Sequence, residues 1–273
     1  MYKSPVNPED SATKEWMCKL LEVMERLRSK TDGCPWDIEQ THESIKPNLI
    51  EETYELIDAI ESKNPENLRE ELGDLLLQVI FHSQMAKESH HFSFREVLEG
   101  LHDKLISRHP HVFSDKKVKT AKEALDQWQE IKRKEKPISS YSSMLSKIPK
   151  HLPALEKAQK LQSKVSKIGF DWQNHQGALD KFKEEISELE EAIQSQDVNS
   201  IKEETGDVFF SLINVCRFFH INAEDALQQT IKKFAQRFEL VEMLAKKKEK
   251  DLSSMTINEL EELWIQAKKS LRR

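Results

Sequence analysis

Apolar residues recur at intervals of three and four along most of the chain, the spacing of one face of an α-helix. From about Ala12 to Lys30 the period is carried by Trp16, Leu20, Val23, Met24 and Leu27, which predicts a helix with these residues near its inner face. TDGCPWD at 31–37 interrupts it with Gly33 and Pro35. A second helix follows, with Thr41 or Ser44 as candidate cap and Leu49, Ile50, Tyr54, Ile57 and Ile60 as its apolar set. Asn64-Pro65 closes that helix and opens a third, which becomes apolar almost all round after Leu72 and therefore reads as a core helix. Phe92 to Leu105 gives a fourth, RHPHVF at 108–113 ends it, and a polar helix runs on to Pro137. ISSYSSMLSKIPKHLP at 138–153 has no steady helical period. Beyond it come helices at 154–168, through EEISE, at 199–219, from about Ala223 to Lys246, and at 256–270. No alternating pattern of useful length predicts a strand, so the expected fold class is all-α.

The second half repeats the first in order. EETYE at 51–55 returns as EEISE at 184–188, and ELGD at 71–74 returns as ETGD at 204–207. GFDW at 169–172 stands where the first half has GCPWD, and ELWIQAK echoes DQWQEIK, matching Trp264 with Trp128. A fixed echo of this length predicts a tandem duplication of helical bundles. The expected division is a first domain at 1–137, a linker at 138–153 and a second domain at 154–273.

The repeated acids carry the chemistry. Glu51, Glu52 and Glu55, and likewise Glu184, Glu185 and Glu188, lie three or four positions apart within each block, which puts them on neighbouring turns of one helix face. Glu71 with Asp74, and Glu204 with Asp207, repeat the three-residue spacing on the next helix. Like charges so placed cost about 0.2–0.5 kcal/mol per exposed pair, and a cation between them removes that cost. Two antiparallel helices joined at Asn64-Pro65 would bring both clusters together. Hard oxygen ligands of this kind suit Mg²⁺, with Mn²⁺ as substitute, and a metal-bound water could serve as nucleophile. Gly73 and Gly206 sit between the paired acids and suggest that a neighbouring helix or a ligand approaches the backbone there. Lys104 with Arg108, and Lys233 with Arg237, are four apart and can present two cations to a phosphate chain. The bland readings are solvated helix acids, surface salt bridges, tryptophans as core anchors and structural histidines, and each has weight. Asp58 and Glu191 are matched in the two halves and are expected to face solvent. Trp264 stands apart because its terminal helix could cover a cleft.

Charge and composition narrow the partners. Charged residues make up 33% of the chain and the formal net charge is −6, so the basic excess of a duplex-binding domain is missing. Three cysteines, Cys18, Cys34 and Cys216, form no pairing or metal-ligand pattern. The first residues lack an apolar signal core, and VFFSLINVCRFF at 208–219 is too short for a membrane span, reading as a buried helix. The expectation is a cytoplasmic protein that binds neither duplex nucleic acid nor membrane.

The acidic pattern EExxE followed by ExxD resembles that of the MazG family, and GCPWD, SRHPHVF, LPALEKAQKLQ and GFDW stand in the order of its long two-domain bacterial form. The resemblance covers about residues 14–270. It implies all-α nucleoside triphosphate pyrophosphohydrolases that need Mg²⁺, cleave between the α- and β-phosphates, and form homodimers. It implies metal ligands at Glu184 or Glu185, Glu188, Glu204 and Asp207. It also implies phosphate contacts at Lys233 and Arg237, and an aromatic at Trp264 that closes on the nucleotide. The first half keeps the acids Glu51, Glu52, Glu55, Glu71 and Asp74, with Lys104 and Arg108 beside them. Ser200 departs from the pattern where some relatives carry Lys, and Lys202 is a nearby substitute. Glu185 is the candidate for orienting the attacking water, and the second half is the preferred catalytic half. Two alternatives stay open: one or both halves are non-catalytic binding modules, or the substrate is a ppGpp-like nucleotide.

Overall fold

The computed structural model describes residues 8–114, 116–135 and 141–271. The start of the 138–153 segment, residues 138–140, falls outside the described residues. Every regular element among those described is helical. The chain divides into two compact units, Met1–Pro137 and Ile138–Arg273.

The first unit contains α1 (Pro8–Leu27), α2 (Pro35–Glu39), α3 (Lys46–Ser62), α4 (Pro65–Glu88), α5 (Phe94–Arg108), α6 (Pro110–Phe113) and α7 (Ala121–Glu135). Its core joins Met24, Ile45, Ile80, Phe81, Met85 and Phe94, with Met17, Leu21 and Leu76 packed around them. The inward face of α1 is thus Met17, Leu21 and Met24, whereas Trp16, Leu20 and Val23 are exposed, a rotation from the expected stripe. Neither Thr41 nor Ser44 caps α3, whose N-cap is Ile45. Instead the two residues bond to each other through backbone N–H and hydroxyl, at 2.9 and 3.2 Å, and form the turn before the helix.

Gly33 is required by close packing, because a Cβ there would lie 2.5 Å from the carbonyl oxygens of Leu27 and Ser29. The loop it begins is clipped to the bundle by Arg28. That guanidinium donates to both oxygens of Glu88 on α4 and to the carbonyls of Asp37 and Gln40. The second unit builds the same clip with the charges exchanged. Arg217 donates to both carboxylate oxygens of Asp171 in the GFDW loop.

The second unit contains α8 (Tyr141–Ser146), α9 (Ala154–Ser166), α10 (His175–Ser195), α11 (Val198–Phe218), α12 (Ala223–Lys247), a 3₁₀ turn at Leu252–Ser254 and α13 (Ile257–Ser270). Within 138–153, Met144 and Ile148 are buried, and α8 packs on α9. A seam between α12 and α13 is closed by Val241, Ala245, Leu263 and Ala267. The two alanines let the helices approach closely, and Leu263 is fully buried, which contributes roughly 1.5–3 kcal/mol.

The acidic helices form matching hairpins. α3 ends on Lys63 at φ 55°, and the Asn64 side chain accepts from Glu66 N at 2.9 Å to start α4. α10 ends on Gln196 at φ 60°, and Asp197 accepts from Asn199 N at 3.0 Å to start α11. A left-handed residue stops one helix and a side-chain cap satisfies an orphan donor of the next.

Two sequence expectations change here. α4 and α11 are not core helices on every side, since Leu72, Leu77 and Val79, and likewise Phe209, Phe210 and Leu212, are exposed. A hairpin has one inner face, and these residues occupy the other. Trp36 and Trp172 are likewise exposed rather than core anchors. Among the described residues, no helix is long and apolar enough to cross a membrane.

Candidate functional site

Each hairpin brings three carboxylates to one place. In the first unit these are Glu52 and Glu55 of α3 and Glu71 of α4; in the second, Glu185 and Glu188 of α10 and Glu204 of α11. In each triad, one oxygen per residue lies within 4.8 Å of the others. Asp74 and Asp207 add charge at the edge of each triad: Asp74 acts on Glu52 and Glu71, and Asp207 acts on Glu204. Glu51 and Glu184 stand outside the triads; Glu51 is exposed and contributes repulsion to Glu52, while Glu184 is exposed and paired with Lys181. Asp58 and Glu191 are exposed.

Four of these acids, Glu52, Glu71, Glu188 and Glu204, hold their protons more tightly than an ordinary carboxylate. Glu52 is pushed above the ordinary carboxylate value by partial desolvation and then by Asp74, Glu55, Glu71 and Glu51. Glu71 is raised by desolvation, then by Glu55 and Asp74. Glu204 is raised by desolvation, then by Asp207, Glu185 and Glu203. Glu188 is raised first by a hydrogen bond with Glu185, which favours one shared proton, and then by desolvation. The donor set is all carboxylate oxygen. Its spread is small enough for rotamer changes to draw three ligands onto one hard divalent cation. Both clusters are therefore compatible with a divalent metal ion.

The halves differ at one position in the cluster that spacing alone did not single out. Lys181 Nζ lies 2.6 Å from Glu184 and 2.9 Å from Glu185, and the two carboxylates raise its proton affinity. Glu185 is the one buried acid of the set, at 7% exposure. The matched first-half residue is Asn48, which carries no charge. Lys181 was legible as the lysine of a Lys-x-x-Glu-Glu pattern, the spacing of helical ion pairs. Gly73 and Gly206 do not mark a close neighbouring helix. A Cβ at either would meet nothing within 4 Å among the described residues.

The cationic and aromatic residues come together on other helices. Arg237 of α12 lies over the ring of Trp264 of α13, its guanidinium carbon 5.8 Å from the ring centroid, and its Nε is buried without a hydrogen-bond partner. Phe234 packs on the same tryptophan at 5.0 Å and is aligned with Phe238 at 6.4 Å. In the first unit Arg108 of α5 lies 5.4 Å from the Trp128 ring centroid of α7, with Lys132 at 4.8 Å. There Arg108 is paired: its Nε and Nη2 donate to Glu135, with distances down to 2.6 Å. Lys104 and Lys233 are exposed. Ser200 donates to Asp197 at 2.8 Å, so it belongs to the cap of α11, and Lys202 is exposed. The RHPHVF histidines are held by backbone and amide: His109 Nδ1 donates to Leu105 O at 2.7 Å and His111 Nδ1 to Gln127 Oε1 at 3.0 Å. With Ala124, Leu125 and Trp128 they line an open cavity of about 350 Å³.

Known proteins match this arrangement. The model of the MazG nucleotide pyrophosphohydrolase domain matches twice, at residues 40–113 and 173–241, so each match contains one acidic hairpin. The nucleoside triphosphate pyrophosphohydrolase/pyrophosphatase MazG of Thermotoga maritima is 44% identical over 250 residues, covering 92% of this chain and 94% of that protein. The nucleoside triphosphate pyrophosphohydrolase of Escherichia coli K12 is 42% identical over 253 residues, covering 92% and 96%. A Bacillus subtilis protein, YabN, is 40% identical over the whole of this chain, which spans 55% of that relative. With two matched acidic hairpins and relatives aligned over nearly their full lengths, this chain belongs to the MazG nucleotide pyrophosphohydrolase family.

Proposed function

We propose that this chain hydrolyses nucleoside triphosphates to a nucleoside monophosphate and pyrophosphate, with Mg²⁺ as its metal and Mn²⁺ as a substitute. The observation that carries the reading is the carboxylate triad repeated on two capped hairpins, within a family whose similar members are nucleoside triphosphate pyrophosphohydrolases. The second unit is the working half in this reading. Glu185, Glu188, Glu204 and Asp207 would hold the metal, with Glu184 at its edge; bound there, the ion would polarise the phosphate oxygens and lower the proton affinity of a water. Glu185, the buried member, would orient the attacking water, and Lys181 keeps a positive charge beside it. Arg237, with a buried donor to spare, and Lys233 would take phosphate oxygens. Trp264 and Phe234 would offer ring faces to the base.

A homodimer belongs to the same proposal. Phe209, Phe210 and Leu212 of α11, and Leu72, Leu77 and Val79 of α4, form exposed apolar faces that a second copy would cover. The reading of the first half as a module that does not turn substrate over is favoured by one observation, the engagement of Arg108 by Glu135.

A panel of triphosphates with Mg²⁺, analysed for monophosphate and pyrophosphate, tests the assignment. The E188A/D207A variant is expected to lose activity by about 100-fold or more, while E55A/D74A keeps most of it. Orthophosphate as the product, or full activity in E188A/D207A, contradicts the proposal.

A further inference from the structure

The matched segments at the ends of α7 and α13 differ at one telling position. Aligned on Trp128 and Trp264, DQWQEIKRKE runs beside ELWIQAKKSL, and Glu135 falls opposite Leu271. Glu135 is the residue that grips Arg108, with Nη2 to Oε2 at 2.6 Å and Nε to Oε2 at 3.0 Å. The arginine side chain is 12% exposed and the glutamate 32%. In the second unit the corresponding Arg237 has no ion pair among the described residues, and its Nε is buried and unsatisfied. Leu271 is exposed and has no charge to offer.

We propose that Glu135 is an internal phosphate surrogate that keeps a second nucleoside triphosphate site, in the first unit, shut. The inference rests on the reading that the acidic hairpins bind metal and the arginine helices bind phosphate. A carboxylate across two guanidinium nitrogens copies the planar, two-point geometry by which arginine holds a phosphate. Being tethered, Glu135 binds Arg108 without loss of translational freedom, so a free triphosphate must displace it at a disadvantage. Its negative charge also stands against the incoming phosphates. Trp128 is engaged too, since Arg108 and Lys132 both lie over its ring. The acids of α3 and α4, meanwhile, keep the full spacing of the second half. The first unit thus retains the metal-holding apparatus of a triphosphate site with its phosphate-holding arginine spent internally. Leu271 leaves the matched arginine of the second unit available.

The test exchanges the two residues in the full-length chain and counts sites. Binding of a triphosphate with a non-hydrolysable α–β bridge is measured by calorimetry with Mg²⁺ for wild type, Glu135→Leu and Leu271→Glu. Wild type is expected to take one ligand per chain and Glu135→Leu two. The added site should vanish when Glu55→Ala and Asp74→Ala are combined with Glu135→Leu. Leu271→Glu should weaken the second-unit site by roughly tenfold or more. Glu135→Gln, which keeps the shape and removes the charge, should open the first-unit site in part and guards against a packing defect. One site in wild type with none gained in Glu135→Leu or Glu135→Gln would overturn the proposal alone. Two equal sites in wild type would also overturn it. No site in any variant would overturn the nucleotide reading and this inference with it.

Discussion

Arg108 and Arg237 occupy matched helices, and each lies over a tryptophan from the last helix of its unit. One is paired with a carboxylate of its own chain; the other has, among the described residues, a buried Nε without a hydrogen-bond partner. A buried unpaired donor costs about 1–3 kcal/mol. A phosphate oxygen bound there would relieve that cost, whereas the Arg108–Glu135 pair ties α5 to α7. The acids show the opposite division. Both triads are present, but in the second unit Lys181 offsets two of the negative charges, while the first unit has Asn48 at that position. After duplication, then, the carboxylate spacing was retained and the counter-charges were redistributed. Among the described residues, the first unit pairs its arginine and not its triad acids, while the second pairs a triad acid and not its arginine.

The contrast is sharpest at Arg237. Arg237→Ala should lower kcat/KM by about 10²–10³-fold, the scale for removing a single transition-state donor, and Arg237→Lys should recover only part because it loses the two-point geometry. An effect confined to KM would move Arg237 from charge stabilisation to simple binding.

Lys181 gives a smaller and differently signed effect. Removing one positive charge about 4 Å from a cation site is worth about 1 kcal/mol under water-like screening, or about fivefold in affinity. Lys181→Met should therefore tighten Mn²⁺ binding to the second unit by about that factor and leave the first unit unchanged. Asn48→Lys should weaken the first-unit site by a similar factor. Paramagnetic relaxation titrations on the two single variants measure both.

The smallest effect concerns the seating of α13. Glu259 caps that helix by accepting from Thr256 N at 2.9 Å, and it pairs with Lys250 at close range. Lys250 and the cap contacts lower its pKa from 4.5 to about 2. A carboxyl depressed on folding contributes stability above its unfolded value and loses it as pH falls toward the folded value. Tryptophan fluorescence should therefore report loosening around Trp264 between about pH 4.5 and 2. Glu259→Gln should flatten that part of the profile.

Much of this was legible in the chain because it is local. Helix period, the Asn64 and Asp197 caps, and acids three and four apart depend on neighbours within one or two turns. What was not legible depends on which surfaces meet. Glu52, Glu55 and Glu71 converge while Glu51 does not, since convergence is set by how α3 rotates against α4. Trp16 and Phe209 look like core residues from their periodicity, yet both are exposed. The glycines between the paired acids suggested a close contact, and the space beside them is open. Glu135 lies in the basic run KRKEK, and nothing local distinguishes a solvated helix end from a carboxylate reaching another helix 27 residues away.

The seam between α12 and α13 has a kinetic consequence. Trp264 follows Leu263 on a helix whose buried side, Leu263 and Ala267, has no exposed surface at all. Lifting that indole as a flap would expose the buried Leu263 and Ala267, so the ring is expected to stay in place. If nucleotide binds beside Trp264 as proposed, stopped-flow traces should show a single concentration-dependent phase without a slow isomerisation step.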